Sequence, residues 1–310
     1  MRANLSHILK NYGMILAFIA VCAVIAVLSP VFLRPANLLN VLRQSSIIGI
    51  MAVGVTFVIL TGGIDLSVGS MMAVAGMIAA GTMDAGGGIA TAVVVAIGVG
   101  VAAGSINGFL VTGAGITPFV VTLGMMSIAR GVTLIYSDGY PISGFSEAFR
   151  FVGGGRVLGF PFPVIVWLAV VLVGWVVLTQ TRLGRYIYAI GGNEETVKLS
   201  GINSNVYKTM AYVISGATAG ISALILTSRL NSAGPTAGVT YELTVIAAVV
   251  IGGTSLNGGR GSVWGSLVGA LLLAVINNGM NLLGISPYFQ ELARGLIIIA
   301  AVYTDRLREQ

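Results

Sequence analysis

Apolar residues run along this chain in long blocks interrupted by short polar or glycine-rich turns, and the blocks fall near 14–33, 45–61, 67–83, 89–112, 117–136, 162–179, 206–228, 241–256, 262–280 and 287–304. About 20 apolar residues in a helix cover the hydrocarbon core of a bilayer. The pattern therefore predicts an all-α, polytopic membrane fold of about ten transmembrane helices, forming one domain over 1–310. Two pairs of blocks are joined by very short turns. Gly62-Gly63-Ile64-Asp65 separates the second block from the third, and Asn257-Gly258-Gly259-Arg260 separates the eighth from the ninth.

Composition points the same way. Of 310 residues, 56% are hydrophobic and only 8% charged, with a mean hydropathy of +0.97. So few charges cannot cover the surface of a water-soluble domain of this size, and lipid is the solvent that removes the problem. The net charge is +6, but the basic residues are scattered. No stripe of them tracks a phosphate backbone, so nucleic acid is not an expected partner. They read instead as topology signals. With both termini placed in the cytoplasm, nine basic residues fall inside (Arg2, Lys10, Arg182, Arg185, Lys198, Lys208, Arg260, Arg306, Arg308) and five outside (Arg34, Arg43, Arg150, Arg156, Arg229). That bias fits the positive-inside rule. Arg130 and Arg294 fall within spans. The N-terminal apolar run follows Arg2 and Lys10 but lacks a small-x-small cleavage pattern, so it reads as a first membrane helix.

Chemistry is sparse. One cysteine, Cys22, and one histidine, His7, leave no parts for a disulfide, a zinc site or a Cys/His catalytic pair. No Gly-x-x-x-x-Gly-Lys-Ser/Thr loop is present, so nucleotide binding by that route is excluded. No cofactor is expected.

Glycine is abundant at 44 residues. In lipid, small residues let helix backbones approach closely, and Gly98, Gly100, Gly104 and Gly108 predict that the fourth span is a packed interior helix. Two stretches also echo one another. Val58 to Ser70 resembles Val249 to Ser262, Gly115-Ile-Thr-Pro-Phe119 resembles Gly284-Ile-Ser-Pro-Tyr288, Ala129-Arg130-Gly131 resembles Ala293-Arg294-Gly295, and Tyr136-Ser-Asp138 resembles Tyr303-Thr-Asp305. These matches suggest an internal duplication with halves near 45–138 and 241–305. Paired glycine-interrupted segments are a pointer to a midplane translocation path.

The most informative soluble segment follows the sixth span. Asn193 suits an N-cap, Glu194 and Glu195 fall in the first turn where the helix dipole favours acids, and Gly201 suits the C′ position. A helix of about two turns is marginal alone in water, so Val197 and Leu199 need a surface to meet. That surface is either a cytoplasmic ATPase or the membrane itself. Asp65, at membrane depth, needs a partner or water; it either caps the helix that follows or lines a pathway. Further pathway candidates are Asn107, Phe119, Arg130, Asn277 and Asn278, polar or aromatic side chains carried within the spans. The stretch 137–161 carries Asp138, Glu147, Arg150 and Arg156 and offers an external landing surface.

Ala52 to Ser70, Thr181 to Asn203, Pro235 to Leu243 and Ile246 to Tyr288, with Gly252-Gly-Thr-Ser-Leu256 and Ile276-Asn-Asn-Gly279 within it, resemble the ribose-type sugar permeases of ABC importers. The likeness covers nearly the whole chain. It implies ten helices per subunit, two subunits around one pore (a homodimer in the simplest case), a separate cytoplasmic ABC ATPase, a periplasmic sugar-binding protein and a bacterial inner-membrane location. It also implies that Glu195 to Gly201 is this family's ATPase-docking motif, with Asn193 and Glu194 at its head. The expected function is then a permease subunit that moves ribose or a relative and is not itself an enzyme. The competing reading, a stand-alone secondary transporter or channel, expects several intramembrane acids, and Asp65 is nearly alone.

Overall fold

The computed structural model describes the backbone from Arg2 to Glu309 and the side chains of 14–300 and 302–303. His7, Asp305 and four of the cations weighed for topology (Arg2, Lys10, Arg306, Arg308) lie outside the described side chains. The chain forms α1 (Arg2–Leu28), α2 (Pro35–Leu60), α3 (Val68–Asp84), α4 (Ile89–Thr112), α5 (Pro118–Ser137), α6 (Glu147–Gly154), α7 (Phe162–Gln180), α8 (Arg182–Leu199), α9 (Ser204–Leu230), α10 (Tyr241–Ile251), α11 (Val263–Leu282) and α12 (Pro287–Glu309). Two-residue strands β1 (Ile142–Ser143) and β4 (Ser232–Ala233) pair antiparallel, as do β2 (Arg156–Val157) and β3 (Phe160–Pro161). Among the described residues, six helices, α2, α4, α5, α7, α9 and α11, are long and apolar enough to cross a membrane. The fold is an all-helical, polytopic membrane protein.

Each of the ten apolar blocks coincides with a helix, but two boundaries differ in an instructive way. The block expected at 241–256 is helical only over Tyr241–Ile251, 11 residues, or about 16 Å. It cannot cross a core of about 30 Å. Gly253, at φ +86°, ends it. In the other direction, α2 begins at Pro35, well before the apolar block at 45. Its first turns mix Asn37, Asn40, Arg43 and Gln44 with apolar residues and so do not stand out as an apolar block. They are held by a reciprocal amide pair between Asn37 and Asn278 of α11, at 2.9 and 3.0 Å. Arg43, expected outside the membrane, therefore sits within α2 and is half-buried.

α2 and α9 make the centre of the bundle, where Ile50, Met51, Val55 and Ile59 have no exposed surface. α4 is not the interior helix its glycines suggested. Gly100, Gly104 and Gly108 bring one stripe of it against the backbone of α9 at Gly216, Tyr212 and Thr209, while Gly98 faces open space. The opposite face, with Val94, Ile106 and Phe109, is exposed.

One end of the bundle gathers α6, both strand pairs and the C-terminus of α9, where Asn231 receives the backbone N–H of Phe145 on its Oδ1 at 3.1 Å. The other end gathers α8, the C-termini of α2 and α4, and the segment 252–262. The two glycine breaks, 61–67 and 252–262, both lie at this α8 end, and Gly259 N–H donates to Leu60 O at 3.0 Å. The two Gly-x-x-Pro turns lie at opposite ends, because α5 starts beside the end of α4, near Thr209, whereas α12 starts beyond the end of α11 near Asn37. The echoed motifs thus do not share one symmetry operation.

Candidate coupling helix and buried polar network

α8 breaks at Asn193, which has extended backbone (φ −162°, ψ 100°), so a separate short helix starts there. Asn193 Oδ1 accepts the N–H of Thr196 at 2.9 Å, the expected N-cap. At the other end Gly201 adopts φ +77°. Its N–H reaches Lys198 O at 3.0 Å and the N–H of Ile202 reaches Val197 O at 3.3 Å. These two bonds are the Schellman closure, which needs a left-handed residue at Gly201.

The side chains of this helix divide between two faces. Val197 is 6% exposed and turns inward. Glu194 also turns inward, its Oε2 accepting from Lys208 Nζ at 3.0 Å, with Ser204 Oγ and Lys198 Nζ on Oε1 at 2.9 and 3.0 Å. Burial works against its charge, but the hydrogen bonds from Lys198, Lys208 and Ser204 outweigh that and hold its carboxyl at about 2. Glu194 therefore straps the short helix to α9. Leu199 is 84% exposed, and Glu195, one turn before it, is also exposed. The short helix is thus closed at both ends and holds one apolar side chain outward.

At the end of the first half of α8, just before the break, Gly191 packs its Cα against the carbonyl of Leu60 and the N–H of Gly259. Nothing larger than hydrogen fits there. α8 thereby touches both glycine breaks through main-chain atoms, and Tyr188 adds a bond from its hydroxyl to Gly261 O at 2.8 Å.

Above that contact lies Asp65, fully buried. Its Oδ1 accepts from Ser67 N–H at 2.9 Å and Ser67 Oγ at 2.6 Å, and its Oδ2 accepts from Ser215 Oγ of α9 at 2.7 Å. Asn107 Nδ2 of α4 donates to Ser67 Oγ at 2.9 Å. Ser67, rather than Asp65, takes the N-cap position of α3. Asp65 shapes the turn ahead of that cap and ties it to two other helices. Asn107 Oδ1 and Tyr212 Oη are buried beside this cluster without a hydrogen-bond partner among the described residues.

The remaining candidates are dispersed. Phe119 is 53% exposed near the start of α5. Arg130 lines an open cavity with Ser127 and Glu242, and its Nη1 donates to Pro235 O and Ala237 O at 2.6 and 2.9 Å. Asn278 is occupied by Asn37. Asn277 lines a different cavity with Arg229 and Arg294. The exposed residues Asp138, Glu147, Arg150 and Arg156 surround α6 at the far end. Sequence reading missed Ser215, Gly191 and the first half of α8. A lone serine in an apolar span and a Gly-Gly pair carry almost no signal by themselves.

Known proteins are similar along the whole length. A family profile described as the permease component of branched-chain amino acid transport systems matches residues 37–302. The chain is 47% identical over 294 residues to a ribose import permease of Haemophilus influenzae, covering 94% of this chain and 91% of that one. It is 46% identical over 299 residues to the ribose import permease of Escherichia coli K12, covering 95% and 93%. To the galactose/methyl galactoside import permease of the same organism it is 37% identical over 319 residues, covering 97% and 95%. No solved structure matches significantly.

Proposed function

The chain belongs to the family of transport-system permease components, and on that premise we propose that it carries ribose or a closely related monosaccharide across a bacterial inner membrane. It is the translocation subunit of an ABC-type importer, with ATP hydrolysis supplied by another polypeptide. The observation that carries the choice of sugar is the gradient of identity, 47% to a ribose permease against 37% to a galactose permease, each over nearly the full chain.

The rest of the assembly follows from the two ends of the bundle. The α8 end is cytoplasmic, the helix from Asn193 to Gly201 docks on the ATPase, and Leu199 with Glu195 makes the contact while Glu194 and Val197 hold the helix in place. The termini share that side, which requires ten crossings, with α3 and α10 completed by the breaks at 61–67 and 252–262. The α6 end receives the sugar-binding protein on Asp138, Glu147, Arg150 and Arg156. A second copy of the chain meets the exposed face of α5, and Phe119 and Arg130 border the passage between the copies. Asp65 and Asn107 anchor the first break, and Asn278 anchors the start of α2. Duplication is retained for the pair α5 and α12, related by inversion.

The test is reconstitution in proteoliposomes with its cognate ATPase and binding protein. ATP-dependent uptake of labelled ribose in preference to galactose is expected. Uptake by the lone chain, driven by an ion gradient, would overturn the importer reading, and a preference for galactose would overturn the sugar.

A further inference from the structure

A cavity of about 180 Å³ opens between α2, α9, α10, α11 and α12 in the half of the bundle nearer α6. Two arginines line it, Arg229 from the last turn of α9 and Arg294 from α12, and no carboxylate does. Arg43 of α2 precedes Gln44 of the wall in sequence and stands behind the lining. The counter-charge is thin. Arg294 Nη1 donates to Glu291 Oε1 at 2.9 Å, but Glu291 is 59% exposed, so that pairing is weak. The same Nη1 also donates to Thr240 Oγ1 at 3.2 Å. Among the described residues, neither Arg43 nor Arg229 has an ion pair, and Arg43 Nε and Arg294 Nε are buried with no hydrogen-bond partner. Two guanidinium groups lining a cavity without a carboxylate carry a desolvation cost that an oxyanion held there would offset.

The opposite wall is apolar, made by Ile47, Ile48, Ala270 and Leu273. The cavity is thus amphipathic, cationic on one side and greasy on the other. A neutral sugar would hydrogen-bond there but would leave the charge uncompensated. We infer that this cavity is an oxyanion site whose ligand is a phosphate group, supplied by an anionic phospholipid headgroup or by free phosphate, with Arg229 and Arg294 as its donors. The site is distinct from the proposed sugar passage and does not depend on it.

Thermal unfolding of the purified full-length chain in detergent tests the assignment. Four additives are compared: dioctanoyl phosphatidylglycerol, dioctanoyl phosphatidylcholine, inorganic phosphate and D-ribose. A ligand that binds only the folded state raises the unfolding temperature, by several degrees when well above its dissociation constant. A rise with phosphatidylglycerol alone identifies the lipid source, and a rise with inorganic phosphate identifies the free anion. Either rise should be lost in Arg229→Gln/Arg294→Gln and kept in Arg150→Gln at the outer surface. Asn277→Phe, which fills the cavity and leaves every arginine in place, should also abolish it and serves if the double variant does not fold. The inference fails if neither anion produces a shift. It fails equally if the shift persists in the arginine double variant or in Asn277→Phe, or if D-ribose alone gives a shift that these variants abolish.

Discussion

Gly259 donates its main-chain N–H to the carbonyl of Leu60 at 3.0 Å, joining the two glycine breaks of the bundle directly. Gly191 of α8 is wedged against the same two atoms. The first half of α8, two residues ahead of the helix proposed to feel the ATPase, is therefore in contact with the interruptions of two membrane helices without an intervening side chain.

Gly191→Ala is expected to uncouple ATP hydrolysis from uptake, because its methyl group would overlap Leu60 O and Gly259 N. Gly192→Ala, whose new methyl meets nothing within 4 Å, should leave transport near normal. Measuring sugar moved per ATP hydrolysed for both variants checks the contact; equal behaviour would remove it from the coupling route.

Leu199→Asp should reduce copurification of the ATPase by at least about tenfold, the effect of losing roughly 1.4 kcal/mol of association energy. The unfolding temperature should be unchanged, since the side chain is 84% exposed. Val197→Ala should do the reverse and lower stability by about 1–2 kcal/mol through lost packing. Gly201→Pro should disrupt the helix end, because proline fixes φ near −65° where +77° is required.

Glu194 links the same helix to pH. Its folded-state carboxyl is lowered to about 2 from an ordinary 4.5, so its stabilising contribution is complete above about 4.5 and lost as pH falls towards 2. Being a partly exposed ion pair, it contributes on the order of 0.5–1 kcal/mol. Hydrogen exchange at Thr196 and Val197 between pH 6 and 3, corrected for intrinsic rates, should show protection falling in wild type but not in Glu194→Gln.

Asp65→Asn should be tolerated better than Asp65→Leu. The amide oxygen can still accept from Ser67 while its NH₂ donates to Ser215 Oγ. Leucine leaves Ser67 N–H and two hydroxyls without an acceptor, at about 1–3 kcal/mol for each group that stays unsatisfied. Denaturation in detergent micelles measures the difference, and equal losses would mean that the charge itself is required.

Hydropathy made the ten principal helices legible, and capping rules located the short helix from Asn193 to Gly201 to the residue. The reason is physical: both signals are local, the first set by lipid and the second by unsatisfied backbone groups. What stayed hidden is non-local. The polar start of α2 looks like a loop until Asn37 meets Asn278 across 241 residues of sequence. Asp65 could be read as a cap or a pathway acid because its third partner, Ser215, lies 150 residues away. The glycines of α4 were recognisable as packing residues, but which stripe packed, and against what, required α9. Of the residues proposed for coupling, pattern alone could not separate Glu194, turned in towards Lys208, from Glu195, turned out.

The junction of Gly191, Leu60 and Gly259 is written in backbone, so it asks of the sequence only that certain side chains be missing. On the proposed coupling route, side chains facing the proposed passage can then change without touching this junction.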